Sequence, residues 1–193
     1  MLPSRPTCPR RWTRSARRGE IALATSGNGG IAHFAAELLL HQAGGLRANL
    51  VHYRGGGPAV QDAIAGHVPL VVETFATTLE HHRAGRLQIL AAFAGQRSAA
   101  VPDVPTAIEQ GVPNMLANTY NALLAPAGMP APVIAKLAEA TAKVAAEPEF
   151  QAFLRSVSVE PVLDSTPART AEFIRSERAK WEPIIRATGL RIE

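Results

Sequence analysis

The sequence predicts an α/β fold in which a parallel sheet carries helices on both faces and a helix-rich second part follows. Three observations predict it. Apolar runs of strand length alternate with helical runs at short intervals as far as Phe93, and strands reached through helices lie parallel, with the crossovers covering both faces. Two strand-to-helix turns are rich in glycine, Ser26-Gly27-Asn28-Gly29-Gly30 and Arg54-Gly55-Gly56-Gly57. The last third holds three helical stretches but little that could form a sheet.

In chain order, residues 21–25 read as a short apolar strand and 31–42 as a helix that the Gly44-Gly45 pair ends. Residues 46–53 make the next strand and 58–65 the next helix. The run 68–73 is strand-like, with Pro69 near its start, where a missing donor is tolerable. Residues 77–84 are helical, and 87–93 read as a buried strand. Beyond it, 95–105 is turn-rich, 106–110 a short helix and 115–124 extended. Helices at 131–146, 148–156 and 170–188 complete the chain, with a short strand at 159–162 between the last two. Pro148 suits a first helical position, and Thr166-Pro167 opens the last helix likewise. These helices have apolar faces, and the one or two strands of this half are too few to receive them. The second part thus reads as a fragment of a layer whose sheet lies elsewhere.

Charge excludes one class of function. The formal net charge is +4, but Arg5, Arg10, Arg11, Arg14, Arg17 and Arg18 lie in the first eighteen residues, ahead of every acidic group. From Gly19 onward fourteen basic groups face sixteen acidic ones, so the folded part has no basic bias for nucleic acid. The tail, residues 1–18, is expected to be disordered. It lacks the apolar run of a secretory signal, and Pro3, Pro6 and Pro9 oppose an amphipathic helix there. The single cysteine, Cys8, allows neither an intramolecular disulfide nor a zinc cluster. No stretch approaches the length of a membrane span.

The glycine turns are where chemistry is expected. Glycine lets the backbone take positive φ and expose N–H groups, and the helix that follows adds unpaired amides and the positive end of its dipole. That is an anion cradle, and two of them in one sheet would lie side by side. Several other residues weigh toward packing. His33 reads as a partly buried hydrogen-bonding residue, and Trp181 reads as core with Phe173, Ile174 and Ile185. Glu80, His81 and His82 read as a solvated helix end, because neighbours on a helix point about 100° apart. Arg54 either meets ligand or lies on the rim.

From about Gly19 onward the chain resembles the Bug family, the extracytoplasmic solute-binding proteins of tripartite tricarboxylate transporters. The resemblance rests on Ser26-Gly27-Asn28-Gly29 with His33 and Glu37, Tyr53-Arg54-Gly55-Gly56 with Pro58-Ala59, and Ala84-Gly85-Arg86-Leu87. It continues through Pro102-Asp103-Val104-Pro105-Thr106 with Glu109 and Gly111, Ala125-Pro126-Ala127-Gly128-Met129-Pro130, Glu160-Pro161-Val162 and Lys180-Trp181. It implies a type II periplasmic-binding-protein clamshell, in which a ligand is held between two α/β domains without catalysis. Residues 19–117 would be the second domain and 118–193 the C-terminal return of the first. Longer family members carry more of the first domain and a signal peptide ahead of this stretch. The expectation is therefore an N-terminally truncated clamshell, periplasmic by resemblance but cytoplasmic as written.

The implied ligand is a small carboxylate or amino acid, the implied partners are the transporter's membrane subunits, and the full-length family is expected to be monomeric. No cofactor, metal or nucleic acid is implied. Ser26, Gly27, Asn28 and Gly29 would present amides, a hydroxyl and a side-chain amide to one carboxylate, and Tyr53, Gly55 and Gly56 would do the same from the neighbouring loop. The third strand ends at Glu73-Thr74, where the family more often has Asp-Asn, so Glu73 would hold an amine or repel a second carboxylate. Two other classes compete. An α/β enzyme handling phosphate or nucleotide could use the same two loops, although neither has a P-loop ending or a dinucleotide fingerprint. An interaction module could act through the Arg-rich arm, with salt-sensitive nucleic-acid binding.

Overall fold

The computed structural model describes residues 21–156 and 159–188. The Arg-rich tail and Cys8 lie outside the described residues. Two compact units divide the chain, one extending to Asn118 and the other spanning Thr119–Ala187.

The first unit is built on a three-stranded parallel sheet. Its strands β1 (Ala22–Thr25), β2 (Asn49–His52) and β3 (Leu70–Val72) lie in the order β2-β1-β3. In register, Thr25 lies beside His52 on one side and Val72 on the other. The three carboxyl ends are therefore level, and the loops after them share one edge of the sheet. Helix α1 (Ile31–Gln42) links β1 to β2, α2 (Gly56–Ala65) links β2 to β3, and α3 (Phe75–Arg83) follows β3. Side chains alternate between the faces of a strand. Ala24 packs with Ala59 of α2 and with Val68, while Leu23 and Thr25, also buried, point to the other face. Ala32, Ala35, Ala36 and Leu38 are the buried apolar positions of α1; three are alanines, which lets the helix approach the sheet closely. The expected sheet core is present, although β2 and β3 are shorter than the apolar runs suggest.

Residues 87–93 do not form the expected strand. Their backbone groups are committed to other partners: Ile89 N–H donates to His82 Nδ1, Leu90 C=O accepts from Gln110, and Ala92 makes one isolated parallel bridge with Thr106. Leu90, read as buried, is 48% exposed. An apolar run becomes a strand only beside another strand's free edge, and here it meets a loop. Side chains hold that loop. Leu79 of α3 packs with Val101 and Val104, and Phe75, Ile89 and Ala100 close around them. The expected helix at 106–110 is a single turn in which Thr106 N–H donates to Glu109 and Glu109 N–H donates to Thr106 Oγ1, the reciprocal capping arrangement. Arg97 Nε lies 3.0 Å from both Glu109 oxygens. The Thr106 amide, more than Arg97, holds the Glu109 carboxyl below the usual range.

The second unit is helical: α4 (Ala131–Ala146), α5 (Pro148–Ser156) and α6 (Pro167–Thr188). The strand expected at 159–162 is absent, since no partner strand lies among the described residues of this unit. None of the residues 119–187 whose burial is described is buried. Val133, Ile134, Leu137, Phe153 and Phe173 are exposed, as expected of helices without a sheet to cover. Trp181, read as core, is half-buried instead, with its indole N–H on Glu177 and the Lys180 ammonium 4.9 Å above its ring. Phe173 meets Tyr120 edge-on at 4.8 Å.

Candidate ligand-binding site

The sheet's carboxyl edge brings the nine sequence-predicted residues onto three adjoining loops. Ser26, Gly27, Asn28 and Gly29 follow β1; Tyr53, Gly55 and Gly56 follow β2; Glu73 and Thr74 follow β3. Two backbone hydrogen bonds join the first two loops. Tyr53 N–H donates to Thr25 C=O at 2.9 Å and Gly55 N–H to Ser26 C=O at 3.0 Å. Gly55 has φ 110° and ψ 166°, a conformation nearly closed to other residues.

These bonds decide which predicted donors remain for a ligand. The amides of Tyr53 and Gly55 are spent on the neighbouring loop, and the Tyr53 hydroxyl donates to Asp62 Oδ2 at 2.7 Å. That bond, the largest cause in each case, pushes the tyrosine hydroxyl up and the Asp62 carboxyl down. Tyr53 therefore anchors the loop to α2 rather than offering its own donors. The Gly29 amide is also taken, by His33 Nδ1 at 3.0 Å. What remains is the head of each helix. In α1 the first helical bond runs from Phe34 N–H to Gly30 C=O, which leaves the earlier amides without a helical acceptor. In α2 the cap residue Gly55 is satisfied and Pro58 has no N–H, so Gly56 and Gly57 are the two open amides.

The third loop adds a negative charge. Glu73 Oε1 accepts from Thr74 N–H at 2.8 Å, while Oε2 is buried without a hydrogen-bond partner. The carboxyl group lies so close over Gly56 that a Cβ there would come within 2.8 Å of its Cδ and Oε2. Thr74 caps α3 through its carbonyl, which receives the Thr77 and Thr78 hydroxyls.

A polar cluster, buried at His33 and Thr25, supports the first loop from below. His33, the third residue of α1, folds back to the Gly29 amide as the acid of a capping box would. Its ring lies 4.3 Å from that of His52, whose Nδ1 is 2.7 Å from the buried Thr25 hydroxyl. The acceptor role at Nδ1 leaves the proton of neutral His33 on Nε2, which faces Glu37 Oε1 at 3.7 Å. His33 matches its reading as a hydrogen-bonding packing residue. The parts of Thr25 and His52 went unread, since a polar pair from neighbouring strands leaves no spacing signal; the return of a third helical residue to the turn amide was the available clue. Elsewhere, His82 serves the Ile89 amide and Glu80 pairs with Arg83, while Arg54 is exposed.

The cluster makes stability depend on pH. Burial chiefly, and then His52, lowers the His33 pKa from 6.5, so below that value the unfolded chain binds more protons and stability falls with acidification. Burial raises the Glu37 pKa from 4.5; its contribution is fully present below 4.5 and is lost as pH rises through the folded value, opposite in sign. The unfolding midpoint, followed by circular dichroism, is therefore expected to drop as pH falls from 6.5 toward 5.5. His33→Gln, which keeps an acceptor without a proton to gain, should flatten that slope; an unchanged slope would assign it to other groups.

Comparison with known proteins gives the chain's family. Residues 12–190 match the family described as "Tripartite tricarboxylate transporter family receptor", a family of receptors rather than enzymes. Protein BugT of Bordetella pertussis is 33% identical over 178 residues, covering 92% of this chain and 54% of that protein. The chain thus spans about half the length of the curated relatives it matches. Among solved structures, Rpa4515 of R. palustris with adipate superposes with a TM-score of 0.80 at 25% identity, covering 97% of this chain and 62% of that one. MatC of Rhodopseudomonas palustris with bound malate gives 0.78 at 24%, covering 93% and 62%. The fold is thus the α/β fold of these binding proteins over about three-fifths of their length. The family match across nearly the whole chain, joined to that fold, establishes that the protein belongs to the tripartite tricarboxylate transporter receptor family.

Proposed function

We propose that the protein is a periplasmic solute receptor that captures a small carboxylate and delivers it to the membrane subunits of a tripartite tricarboxylate transporter. The observation that carries this reading is the paired helix heads of α1 and α2 at one sheet edge, held together by the Gly55 to Ser26 hydrogen bond. Neutral amides at helix starts suit a carboxylate that must also leave, since each hydrogen bond to a charged group contributes about 1.5–3 kcal/mol. Ser26, Gly27, Asn28, Gly56 and Gly57 are the ligand-facing residues in this reading; Gly29, Tyr53, Gly55 and Thr74 shape the loops. Residues 19–117 act as the second domain of the clamshell and 118–193 as the return of the first. The relatives solved with adipate and malate support a carboxylate.

Calorimetric unfolding of the full chain with adipate, malate, succinate and aspartate tests it. A bound acid at about a hundred times its dissociation constant adds about 2.7 kcal/mol, a shift of several degrees. A midpoint that none of these acids moves would overturn the reading.

A further inference from the structure

The site contains a carboxylate of its own, packed against the first residue of α2. The two open amides at the head of α2 belong to Gly56 and Gly57, and the Glu73 carboxyl lies directly over Gly56. One of its oxygens is satisfied by the Thr74 amide, whereas the other is buried and lacks a donor. A buried carboxylate oxygen without a partner is a costly arrangement, relieved when the side chain turns the oxygen toward a donor. Among the described residues, the head of α2 is thus already faced by an anion, and no carboxyl group is seen against the head of α1.

We propose, resting on the receptor reading above, that Glu73 is a specificity-determining residue that selects small carboxylates bearing a protonated amine over plain dicarboxylates. The ligand's carboxylate takes the amides at the head of α1, and the Glu73 side chain turns its buried Oε2 off Gly56 to accept from the ligand's ammonium. A second carboxylate at that place would meet like charge in a partly desolvated position and leave Oε2 unsatisfied. A cation satisfies both requirements, and its hydrogen bond to the carboxylate is of the stronger, charge-assisted kind.

The test is isothermal titration of the full chain with acids that differ only in the amine: aspartate against succinate, and glutamate against glutarate. The amino member of each pair is expected to bind about tenfold more tightly or better, the effect of one charge-assisted hydrogen bond. Glu73→Gln, nearly isosteric and uncharged, should bring that ratio close to one. Gly56→Ala should do the same with the charge retained, because its Cβ displaces the carboxyl group while the backbone there tolerates alanine. Equal affinity for the two members in the unaltered chain would overturn the proposal, as would a preference that survives both substitutions. Malate binding as tightly as aspartate would overturn the cationic assignment, since a hydroxyl would then suffice. Binding of the plain diacids alone would overturn this inference and leave the receptor reading standing; binding of no acid would remove both.

Discussion

Replacing Leu79 by alanine is expected to destabilise the first unit by about 2–5 kcal/mol, the range for emptying a buried leucine site. Leu79 is 6% exposed and lies against Val101 and Val104, with Phe75, Ile89 and Ala100 around it. These contacts help attach residues 87–104 to α3, beside the Ile89 amide on His82 and the isolated bridge at Ala92. Urea unfolding followed by circular dichroism measures the loss. A change under about 1 kcal/mol would mean that the site collapses around the smaller side chain or that the segment is held by other means. Val101→Ala should weaken the same cluster by less, having less side chain to lose.

Gly55→Ala should be the most damaging single change at the site. At φ 110° and ψ 166° an alanine carries about 1–3 kcal/mol of backbone strain, and relief of that strain turns the amide away from Ser26. The head of α2 would then shift relative to the first loop. The expected result is a lower unfolding midpoint together with at least about a tenfold loss of affinity for whichever acid the unaltered chain binds, the worth of one hydrogen bond to a charged group. Gly57→Ala is the control. A Cβ there meets nothing within 4 Å and its φ is not in the left-handed region, so stability should change little. Equal effects of the two substitutions would show that glycine at 55 is not required by its conformation.

Much of this was legible in the sequence for local reasons. Strand β1, the glycine turn and α1 follow one another within about twenty residues, and the apolar period, the turn residues and the helix stop all agree there. The three loops could be placed at one edge because helices joining strands force the parallel order. The strand read at 87–93 failed because an apolar run states only that a segment is covered, not by what; His82, Gln110, Pro105 and Ala107 took its backbone groups. The run at 159–162 failed for a related reason, with no strand beside it among the described residues. Ligand donors were the hardest to read. Gly29, Tyr53 and Gly55 all carry amides in the right loops, yet each is taken by a partner distant in the turn or in the sequence. Composition cannot reveal which amides a fold has already used.

The bond between Gly55 and Ser26 also bears on how fast a receptor of the proposed kind would work. Fixing one residue's backbone costs about 1–2 kcal/mol of conformational entropy, and in the two glycine loops that cost falls on folding, before any solute arrives. Capture at a preformed edge requires no search through loop conformations. In the proposed receptor role, solutes would be admitted at similar encounter rates and told apart chiefly by how long each one stays.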